Sequence, residues 1–250
     1  MRLAEAVALI TGASSGIGAA TAAALAAAGA RLVVTGRDAR RLDAVAAQTG
    51  ATAIPADLTD PEEAARVAEE AIGKAGRVDV LISNAGTGWA GSISEMPAEK
   101  ATELVNLNLL VPIQLARLLA PGMAERGRGQ LVFVSSIAGA TGVRHEAVYA
   151  AAKAGLNCFA ESLGYELAGR GVGVSVVLPG VVDTPFFNRR GRRYERRWPA
   201  PIPPERVARA ITDAIARDQG IVYVPAWMRF PAWLHGTSPA AFRRLASRFG

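Results

Sequence analysis

The sequence predicts an α/β protein with a doubly wound, mostly parallel seven-stranded sheet and helices on both faces. Seven short apolar runs rich in β-branched residues alternate with longer segments rich in Ala, Leu, Glu and Arg. Runs that are hydrophobic throughout are typical of strands buried on both faces, and strict alternation with helices indicates right-handed βαβ crossovers. No linker or internal repeat interrupts the pattern before about residue 186, so we expect a single domain over residues 1–225.

In chain order, predicted strands and helices alternate from the N-terminus. The strands are expected at 7–10, 31–35, 52–55, 78–83, 130–136, 173–179 and 221–225. The helices are expected at about 17–28, 39–49, 61–74, 98–124, 145–169 and 204–218. Sheets of this kind bind ligands beyond the carboxyl ends of their strands, so functional residues are expected where the strands end.

The first strand is followed by TGASSGIG at residues 11–18, which opens the first helix. Gly12 can turn tightly, while Gly16 and Gly18 let a pyrophosphate and the neighbouring strand approach the backbone. The free N–H groups at a helix start bind phosphate. We therefore predict a dinucleotide site at this turn, formed by Gly12, Ser14, Ser15, Gly16, Ile17 and Gly18. The alternative is a loop that the glycines only shape.

Tyr149 and Lys153 lie four residues apart in the alanine-rich fifth predicted helix, so they share one helix face. A phenol with a pKa of about 10 exchanges protons poorly at neutral pH, and a neighbouring cation lowers that pKa. The pair predicts tyrosine as the general acid or base and lysine as the group that tunes it. The alternative is a lysine that only packs along a half-buried tyrosine.

Five motifs, in order, resemble the short-chain dehydrogenase/reductase family over about residues 5–225. They are the glycine turn with its Gly-x-x-x-Gly-x-Gly spacing, SNAG at 83–86, Asn108 in LNLLVP, Ser136 thirteen residues before Tyr149 of Tyr-x-x-x-Lys, and PGVVDTP at 179–185. Ser83 stands where the family has asparagine. The resemblance implies a Rossmann-like fold and hydride transfer between a nicotinamide cofactor and a ketone or secondary alcohol.

The resemblance also implies a role for each matched residue. Ser136 would orient the carbonyl, Lys153 would bond the nicotinamide ribose, and Asn108 would hold the water that links Lys153 to solvent. Asp57 would accept from the adenine amino group, or else be a turn aspartate. The other implied cofactor contacts are Leu58, Asn84, Ala85, Gly86, Pro179, Gly180, Val182 and Thr184. The rival is a cofactor-binding regulator without turnover, which would not need the intact serine, tyrosine and lysine.

The end of the second strand, VTGRD at 34–38, bears on the choice of cofactor. An acidic side chain there would bond the ribose hydroxyls of NAD, whereas an arginine would pair with the 2′-phosphate of NADP. Gly36 stands in the acidic position and Arg37 follows, which favours NADP(H). NAD(H) is the alternative, because Asp38 can turn inward and Ser15 carries no positive charge.

The C-terminal quarter is strongly basic. Residues 186–250 hold thirteen arginines against four acidic residues, whereas residues 1–185 carry a net charge of −3. The resemblance places a substrate lid without regular structure at about 185–204, where Phe186, Phe187, Tyr194 and Trp198 can line an apolar pocket. Six arginines within 189–197 can meet an anionic substrate, an acidic carrier protein or a membrane, or form a solvated loop. Nucleic acid is not expected, since no reading motif is present.

Residues 226–250 are predicted to form a C-terminal amphipathic extension. Phe242, Leu245, Ala246 and Phe249 follow helical spacing, which predicts a basic amphipathic helix over 239–249. Docking on the domain or a partner subunit is preferred for this extension, and peripheral membrane contact is the alternative. The resemblance implies a homodimer or homotetramer formed through the helices at 98–124 and 145–169.

The N-terminal stretch MRLAEAVALITG lacks a signal-peptide pattern, and the longest low-polarity run, 19–30, is too short to span a bilayer. A cytoplasmic protein is therefore expected. Cys158 is the only cysteine and cannot form an internal disulfide, so we predict it to be a small core residue. No metal site is predicted.

Overall fold

The computed structural model of the chain describes residues 1–192, 194–195 and 198–249, with side chains up to residue 246. The strands are β1 Val7–Thr11, β2 Arg31–Gly36, β3 Thr52–Pro55, β4 Val80–Ser83, β5 Gly129–Val134, β6 Val172–Pro179 and β7 Ile221–Val224. They form one sheet in the order β3-β2-β1-β4-β5-β6-β7, and every pairing is parallel. The predicted seven-stranded sheet is confirmed.

Helices cover both faces of this sheet. They are α1 Gly16–Ala27, α2 Ala39–Thr49, α3 Glu63–Ala75, α4 Ala98–Val105, α5 Val111–Glu125, α6 Ala138–Thr141, α7 Ala147–Glu166, α8 Phe186–Arg189, α9 Pro204–Arg217, α10 Arg229–Thr237 and α11 Pro239–Phe249. Successive strand residues enter opposite cores. In β1, Leu9 packs with α3, α5 and α7, whereas Ile10 packs with α1, α2 and α9. Burial on both faces explains why the strand sequences are apolar throughout.

The strand order reverses at β1, which pairs with β2 on one side and β4 on the other. Thr11 lies opposite Thr35, and Ile10 lies opposite Ile82, so the carboxyl ends of these three strands are level. Such a reversal leaves a crevice between the chain segments that leave the strand ends. The glycine turn after β1 and the SNAG segment after β4 both face this crevice.

The helix predicted over 98–124 is interrupted by a π-helical turn at Asn106–Leu110, between α4 and α5. A π turn inserts one extra residue into a helix and often occurs at functional sites. The whole segment Ala98–Glu125 is long and apolar enough to cross a membrane, but half of its apolar window is buried inside the fold. Leu107, Val111 and Leu115 lie in the core, as expected for the central helix of a packed domain.

The prediction that Cys158 is a core residue is wrong, because its side chain is exposed. The buried face of α7 is formed by Ala152, Leu156 and Ala160. Residue 158 is two positions from both 156 and 160, which places it about 200° away around the helix.

The lid region has more regular structure than the sequence analysis expected. Residues 186–189 form the short helix α8. Further along, the Ile202 N–H donates to the Val181 carbonyl at 2.9 Å, and the Ile202 carbonyl accepts from Asp183 N–H at 2.8 Å. Arg193, Arg196 and Arg197, three of the arginines expected here, lie outside the described residues.

The C-terminal extension contains the expected helix as α11, together with a 3-10 turn at Ala226–Met228 and α10, which the sequence analysis did not predict. Met228 is buried against Gly180 of the PGVVDTP segment: a Cβ on that glycine would lie 2.6 Å from Met228 Cε. Helix α10 contacts α6, and α11 packs on α10 with an edge-on contact between Phe242 and His235. The first part of the extension is therefore packed onto the domain.

Candidate active site

A cavity of about 390 Å³ opens at the carboxyl ends of β1, β2, β4, β5 and β6. The structure brings almost all of the sequence-predicted site residues to its wall. These are Gly12, Ser14, Ser15, Gly16, Ile17, Arg37, Asp57, Leu58, Asn84, Ala85, Gly86, Asn108, Ser136, Tyr149, Lys153, Pro179, Gly180, Val182 and Thr184. Gly18 does not line the cavity.

Two glycines of the first turn have backbone conformations that side chains disfavour. Gly12 has φ +65° and Gly16 has φ +57°, and a Cβ on Gly12 would lie 2.8 Å from Ala85 Cα. Gly18 is needed for close packing of the backbone around this turn. A Cβ there would lie 2.3 Å from the Gly12 carbonyl oxygen, so Gly18 lets α1 pack directly beneath the turn.

The turn is held against the end of β4 by Asn84. Its side-chain amide donates to the Thr11 carbonyl at 2.9 Å and to the Gly12 carbonyl at 3.3 Å. The Thr11 hydroxyl accepts from the backbone N–H groups of Asn84 and Ala85, both at 2.9 Å. Ser15, at the N-cap of α1, makes no capping hydrogen bond with its side chain. The N–H groups at this helix start are therefore oriented to receive a pyrophosphate, which fits a dinucleotide.

At the end of β2, Asp38 is engaged in local structure. It is the N-cap of α2: one carboxylate oxygen accepts from Arg41 N–H at 3.0 Å, and the other lies 3.2 Å from Arg41 Nε. A Cβ on Gly36 would lie 3.1 Å from Ser14 Oγ, so the glycine lets the two turns approach each other. Capping of the helix by Asp38 weakens the NAD alternative, which needed an inward-facing carboxylate.

Asp57 lies at the cavity wall and is also the aspartate of a turn. It lines the cavity, and one of its carboxylate oxygens accepts from Thr59 N–H at 3.0 Å and from Thr59 Oγ1 at 2.8 Å, as in an aspartate turn. The other oxygen lies 4.0 Å from an Arg37 guanidinium nitrogen. Both side chains are half exposed, so this ion pair is weak and leaves Arg37 available to another anion.

Tyr149 and Lys153 lie on the buried face of α7, and the Ser136 side chain lies close enough to the Tyr149 hydroxyl to influence its pKa. Burial raises the pKa of Tyr149, the Ser136 hydroxyl lowers it, the Glu146 carboxylate raises it and the Arg190 guanidinium lowers it. The net direction is upward, contrary to the lowering that the sequence analysis expected from Lys153. The reason is that Tyr149 is only 7% exposed, so desolvation of the phenolate dominates.

Lys153 points to the cavity floor from the same helix face. Its Nζ donates to the Val134 carbonyl at 2.9 Å and lies 5.9 Å from the centre of the Tyr149 ring. Burial lowers the pKa of Lys153 to about 8. The lysine is therefore largely cationic at neutral pH, close to the point at which it gives up a proton.

Asn108 lies in the π turn and is fully buried. Its amide nitrogen donates to the carbonyls of Thr87 and Leu104, both at 2.9 Å, while its buried Oδ1 has no hydrogen-bond partner among the described residues. A Cβ on Gly86 would lie 2.8 Å from this Oδ1 and 3.8 Å from Lys153 Nζ. An acceptor and a cation therefore face the same small space.

The sequence analysis did not name Glu146, and it included Arg190 only among the arginines of the lid. Glu146, at the N-cap of α7, lines the cavity and accepts a hydrogen bond from the Arg190 guanidinium. Both residues are about nine-tenths buried, and the guanidinium also lies 4.5 Å from the centre of the Phe187 ring. Arg190 therefore does not belong to a solvated basic loop. Neither residue stands in a motif, and only their proximity in the fold identifies them.

The aromatic residues of the lid have different positions. The Phe186 ring lies 5.6 Å from the Tyr149 ring, and Phe186 and Phe187 line the cavity. Tyr194 lies behind Phe187, with the ring centres 5.5 Å apart. Trp198 is 68% exposed and stacks on Trp227 at 5.1 Å, so it does not line the pocket as expected. Two of the four aromatic residues thus form an apolar wall next to the tyrosine.

Comparisons with known proteins agree with this geometry. A family model described as short chain dehydrogenase matches residues 6–195. The chain is 37% identical over 217 residues to the ketoacyl reductase HetN of Nostoc sp., covering 83% of this chain and 74% of the relative. It is 36% identical over 180 residues to the 3-oxoacyl-acyl-carrier-protein reductase FabG of Escherichia coli, covering 71% and 74%. A short-chain dehydrogenase from Sphingobium yanoikuyae, solved in complex with NADPH, superposes with a TM-score of 0.83 at 31% identity, covering 97% of this chain and 95% of the other.

Proposed function

This chain belongs to the short-chain dehydrogenase/reductase family and is an NAD(P)-dependent oxidoreductase of CH–OH and C=O groups, and from this premise we propose that it reduces a ketone to a secondary alcohol with NADPH. The observation that carries the proposal is the convergence of Tyr149, Ser136 and Lys153 on the cavity beside the glycine turn. The relatives named above and the NADPH-bound structural neighbour support the same reaction class.

In the proposed reaction, ketone, NADPH and one proton give the secondary alcohol and NADP⁺. NADPH, when bound, supplies the hydride. The Tyr149 hydroxyl donates its proton to the carbonyl oxygen, and the Ser136 hydroxyl donates a hydrogen bond to the same oxygen as negative charge develops on it. The raised pKa of Tyr149 supports the role of proton donor, because it keeps the phenol protonated at neutral pH.

Lys153 and Asn108 complete the proton route. The Lys153 ammonium stabilises the phenolate that Tyr149 leaves after donating its proton, and it then releases a proton that restores the phenol. With the cofactor bound, the same ammonium would also hydrogen-bond the nicotinamide ribose. The unpartnered Oδ1 of Asn108 and the Nζ of Lys153 face one space beside Gly86. A water held there has the polar partners that a buried water needs, and it returns a proton from solvent to the lysine.

NADP(H) is the proposed cofactor, with NAD(H) as the weaker alternative. Arg37 is half exposed at the cavity mouth, where it can pair with a 2′-phosphate. Asp38 caps α2, so its carboxylate is engaged away from the ribose. We keep Asp57 as the proposed acceptor for the adenine amino group.

The proposed substrate is a ketone that carries an apolar part. Phe186 and Phe187 form an apolar wall beside Tyr149, which suits an acyl chain or a ring. The two reductases named above act on ketoacyl compounds according to their names, so short 3-oxoacyl thioesters are the first candidates. Aryl ketones and simple aliphatic ketones complete a panel that separates chain recognition from ring recognition.

The test measures NADPH consumption with this panel for the native protein and for Tyr149→Phe. General acid catalysis contributes up to about 10⁴-fold, so we expect the variant to lose about a thousandfold in kcat/KM while it binds NADPH normally. Undiminished turnover by the variant would refute the role of Tyr149. Tight NADPH binding with no turnover of any panel member would favour the rival, a cofactor-binding regulator without catalysis.

We further propose that the protein is a homodimer or homotetramer that uses the outer face of α7. Ala147, Ala151, Ala154 and Cys158 are exposed at helical spacing and form a stripe of small side chains. Small residues allow two helix backbones to approach closely. Light scattering of the native protein and of Ala154→Glu tests this, because a carboxylate in the stripe should produce monomers.

Peripheral membrane contact by the C-terminal extension is the remaining proposal, for a protein that we place in the cytoplasm. Trp227, Phe230 and Trp233 are 42–60% exposed on or beside α10, next to Arg229. Exposed aromatic rings with neighbouring arginines suit an anionic lipid surface. Co-sedimentation with phosphatidylserine vesicles at low and high salt tests this, with Phe230→Ser/Trp233→Ser expected to remain in solution.

A further inference from the structure

The mouth of the cofactor cavity gathers three arginines from separate parts of the chain. Arg37 and Arg41 come from the turn after β2 and from α2, and Arg189 comes from the end of α8 in the lid. All three line the cavity. The glycine turn between them, residues 11–18, contains no cationic side chain.

Arg189 reaches across to that turn. Its guanidinium nitrogen lies 3.5 Å from Ser15 Oγ, to which it donates. Ser15 is the N-cap residue of α1, but its hydroxyl makes no capping bond and is available as a partner for a ligand and for the arginine. A residue of the lid thus supplies the positive charge that the glycine turn lacks.

The cluster is short of negative charge. Asp38 is paired with Arg41 and Asp57 with Arg37, whereas Arg189 makes no ion pair with a carboxylate in the part of the chain described here. Desolvation lowers the pKa of Arg189, and the charges of Arg37 and Arg41 lower it further. Guanidinium groups held close enough to repel one another form a site that an anion stabilises.

The neighbouring arginine has a different environment. Arg190 is buried in its ion pair with Glu146, which anchors α8 to the start of α7. Consecutive helical residues point about 100° apart, so anchoring one arginine directs the other to a different side. Arg189 is thereby held at the mouth of the cavity.

We propose that Arg189 binds the 2′-phosphate of NADP(H) together with Arg37, so that the substrate lid itself takes part in selecting the phosphorylated cofactor. The inference builds on the proposed function, which assigns NADP(H) to this cavity. It assigns the 2′-phosphate rather than the pyrophosphate, because Arg189 lines the same cavity mouth as Arg37 and Arg41, at the end of β2 and the first turn of α2, where the adenine ribose is expected.

The test compares binding of 2′,5′-ADP, which has the 2′-phosphate, with binding of 5′-ADP, which lacks it. Calorimetry is performed on the native protein, on Arg189→Gln and on the matched control Arg192→Gln, which changes an exposed arginine of the same lid. A charge-assisted hydrogen bond contributes about 1.5–3 kcal/mol, so Arg189→Gln should weaken 2′,5′-ADP binding about tenfold or more. Binding of 5′-ADP should change less than twofold, and Arg192→Gln should bind both ligands as the native protein does.

If Arg189→Gln weakened the binding of 2′,5′-ADP and of 5′-ADP equally, the inference would be overturned. Arg189 would then contact the pyrophosphate or affect binding through the folding of the protein. Unchanged binding of 2′,5′-ADP would overturn it as well. If Arg189→Gln does not fold, Arg189→Lys provides the second variant, which keeps the charge and should retain most of the preference for 2′,5′-ADP. A native protein that consumes NADH as well as NADPH and binds 5′-ADP as tightly as 2′,5′-ADP would refute the NADP(H) assignment itself.

Discussion

At the scale of single residues, the buried pair of Glu146 and Arg190 connects the lid to α7, the helix that carries Tyr149. Glu146 is the N-cap of α7 and precedes Tyr149 by three residues, and Arg190 follows α8 directly. The two charges act on the tyrosine in opposite directions, since Glu146 raises the pKa of Tyr149 and Arg190 lowers it. One ion pair therefore positions the apolar wall of the pocket and balances the charge around the proposed proton donor.

Glu146→Gln should lower the free energy of unfolding by about 3 kcal/mol, because it leaves a buried guanidinium without its counter-charge. It should also lower the pKa of Tyr149, so the alkaline limb of the pH dependence of kcat/KM moves to lower pH. Arg190→Met should move that limb to higher pH. Urea unfolding and pH–rate profiles measure the two effects.

The double variant Glu146→Gln/Arg190→Met is the control for this pair. It should be more stable than the sum of the two single changes predicts, because neither charge remains buried alone. Strict additivity would mean that the two side chains do not interact in solution.

Lys153 gives the fold a defined pH dependence. Its pKa is about 8 in the folded protein and about 10.4 in an unfolded chain, so the unfolded state binds more protons between these values. Stability contributed by this group is therefore present at high pH and is lost as the pH falls towards 8. Tyr149 has the opposite effect on stability, because its pKa is raised in the folded protein. Its contribution is present below about pH 10, the pKa of tyrosine in an unfolded chain, and is lost as the pH rises above that value.

The native protein should gain about 1.5 kcal/mol of unfolding free energy relative to Lys153→Met between pH 8 and pH 9.5. Urea unfolding of both proteins at the two pH values measures this gain. Taking the difference between the proteins removes the contributions of other titrating groups. A constant difference would show that Lys153 keeps an ordinary pKa in the fold.

Individual residues differ in how far the sequence reveals them. Tyr149 and Lys153 are visible because a helix places residues four apart on one face. The contacts of Glu146 and Arg189 are not visible, because their partners lie 44 and 174 residues away in the chain. The direction of the Tyr149 pKa was also missed, since it depends on how deeply the ring is buried.

At the scale of elements, strands and helices were predictable because their periodicity is local. The π turn at Asn106–Leu110 was not, because its residues carry an ordinary helical pattern. It places the Asn108 amide nitrogen against the carbonyls of Thr87 and Leu104 and points its oxygen towards Gly86. The lid helix α8 was missed because four residues are too short to show a period.

Alanine substitution of Gly18 in α1, compared with the same change at Gly73 in α3, tests how closely α1 packs against the glycine turn. In Gly18→Ala the new methyl group would lie 2.3 Å from the Gly12 carbonyl oxygen and 2.7 Å from Asn84 Nδ2, so the turn must shift. We expect a loss of about 1–3 kcal/mol in unfolding free energy and weaker NADPH binding. Urea unfolding and calorimetry measure the two losses.

Gly73→Ala is the matched control for this change. It lies in α3 with nothing within 4 Å of the added Cβ, and alanine favours a helix over glycine. This variant should gain about 0.5–1 kcal/mol and bind NADPH unchanged. Equal effects at both positions would contradict the packing role assigned to Gly18.

At the scale of the whole molecule, the sheet order determines which distant segments meet. The reversal at β1 brings residues 11–18, 83–86 and 179–185 to one crevice, although they are far apart in the chain. The sequence predicted this meeting because parallel strands end at one edge of the sheet. The sequence did not predict how the C-terminal extension packs, because aromatic residues show the same spacing along the chain whether they are exposed or buried.

Truncation shows whether the extension is part of the domain. Ending the chain after Ser238 removes α11, which packs mainly on α10, so stability should change by less than about 0.5 kcal/mol. Ending it after Pro225 also removes Met228, which is buried against Gly180 in a segment that the resemblance predicts to contact the cofactor. Loss of a large buried side chain costs about 2–5 kcal/mol, so this shorter chain should unfold at lower urea and bind NADPH more weakly.

Met228→Ala in the full-length chain isolates the contact from the loss of chain length. It should reproduce much of the stability loss of the shorter truncation and weaken NADPH binding, because the Pro179–Gly180 turn loses its support. The matched control is Leu245→Ala, which changes an exposed apolar side chain of the same extension. Met1→Ala is not a suitable control, because the N-terminal amino group bonds the Ile215 carbonyl. If the Pro225 truncation were as stable as the native protein and bound NADPH equally well, the extension would be an appendage and the domain would end at residue 225.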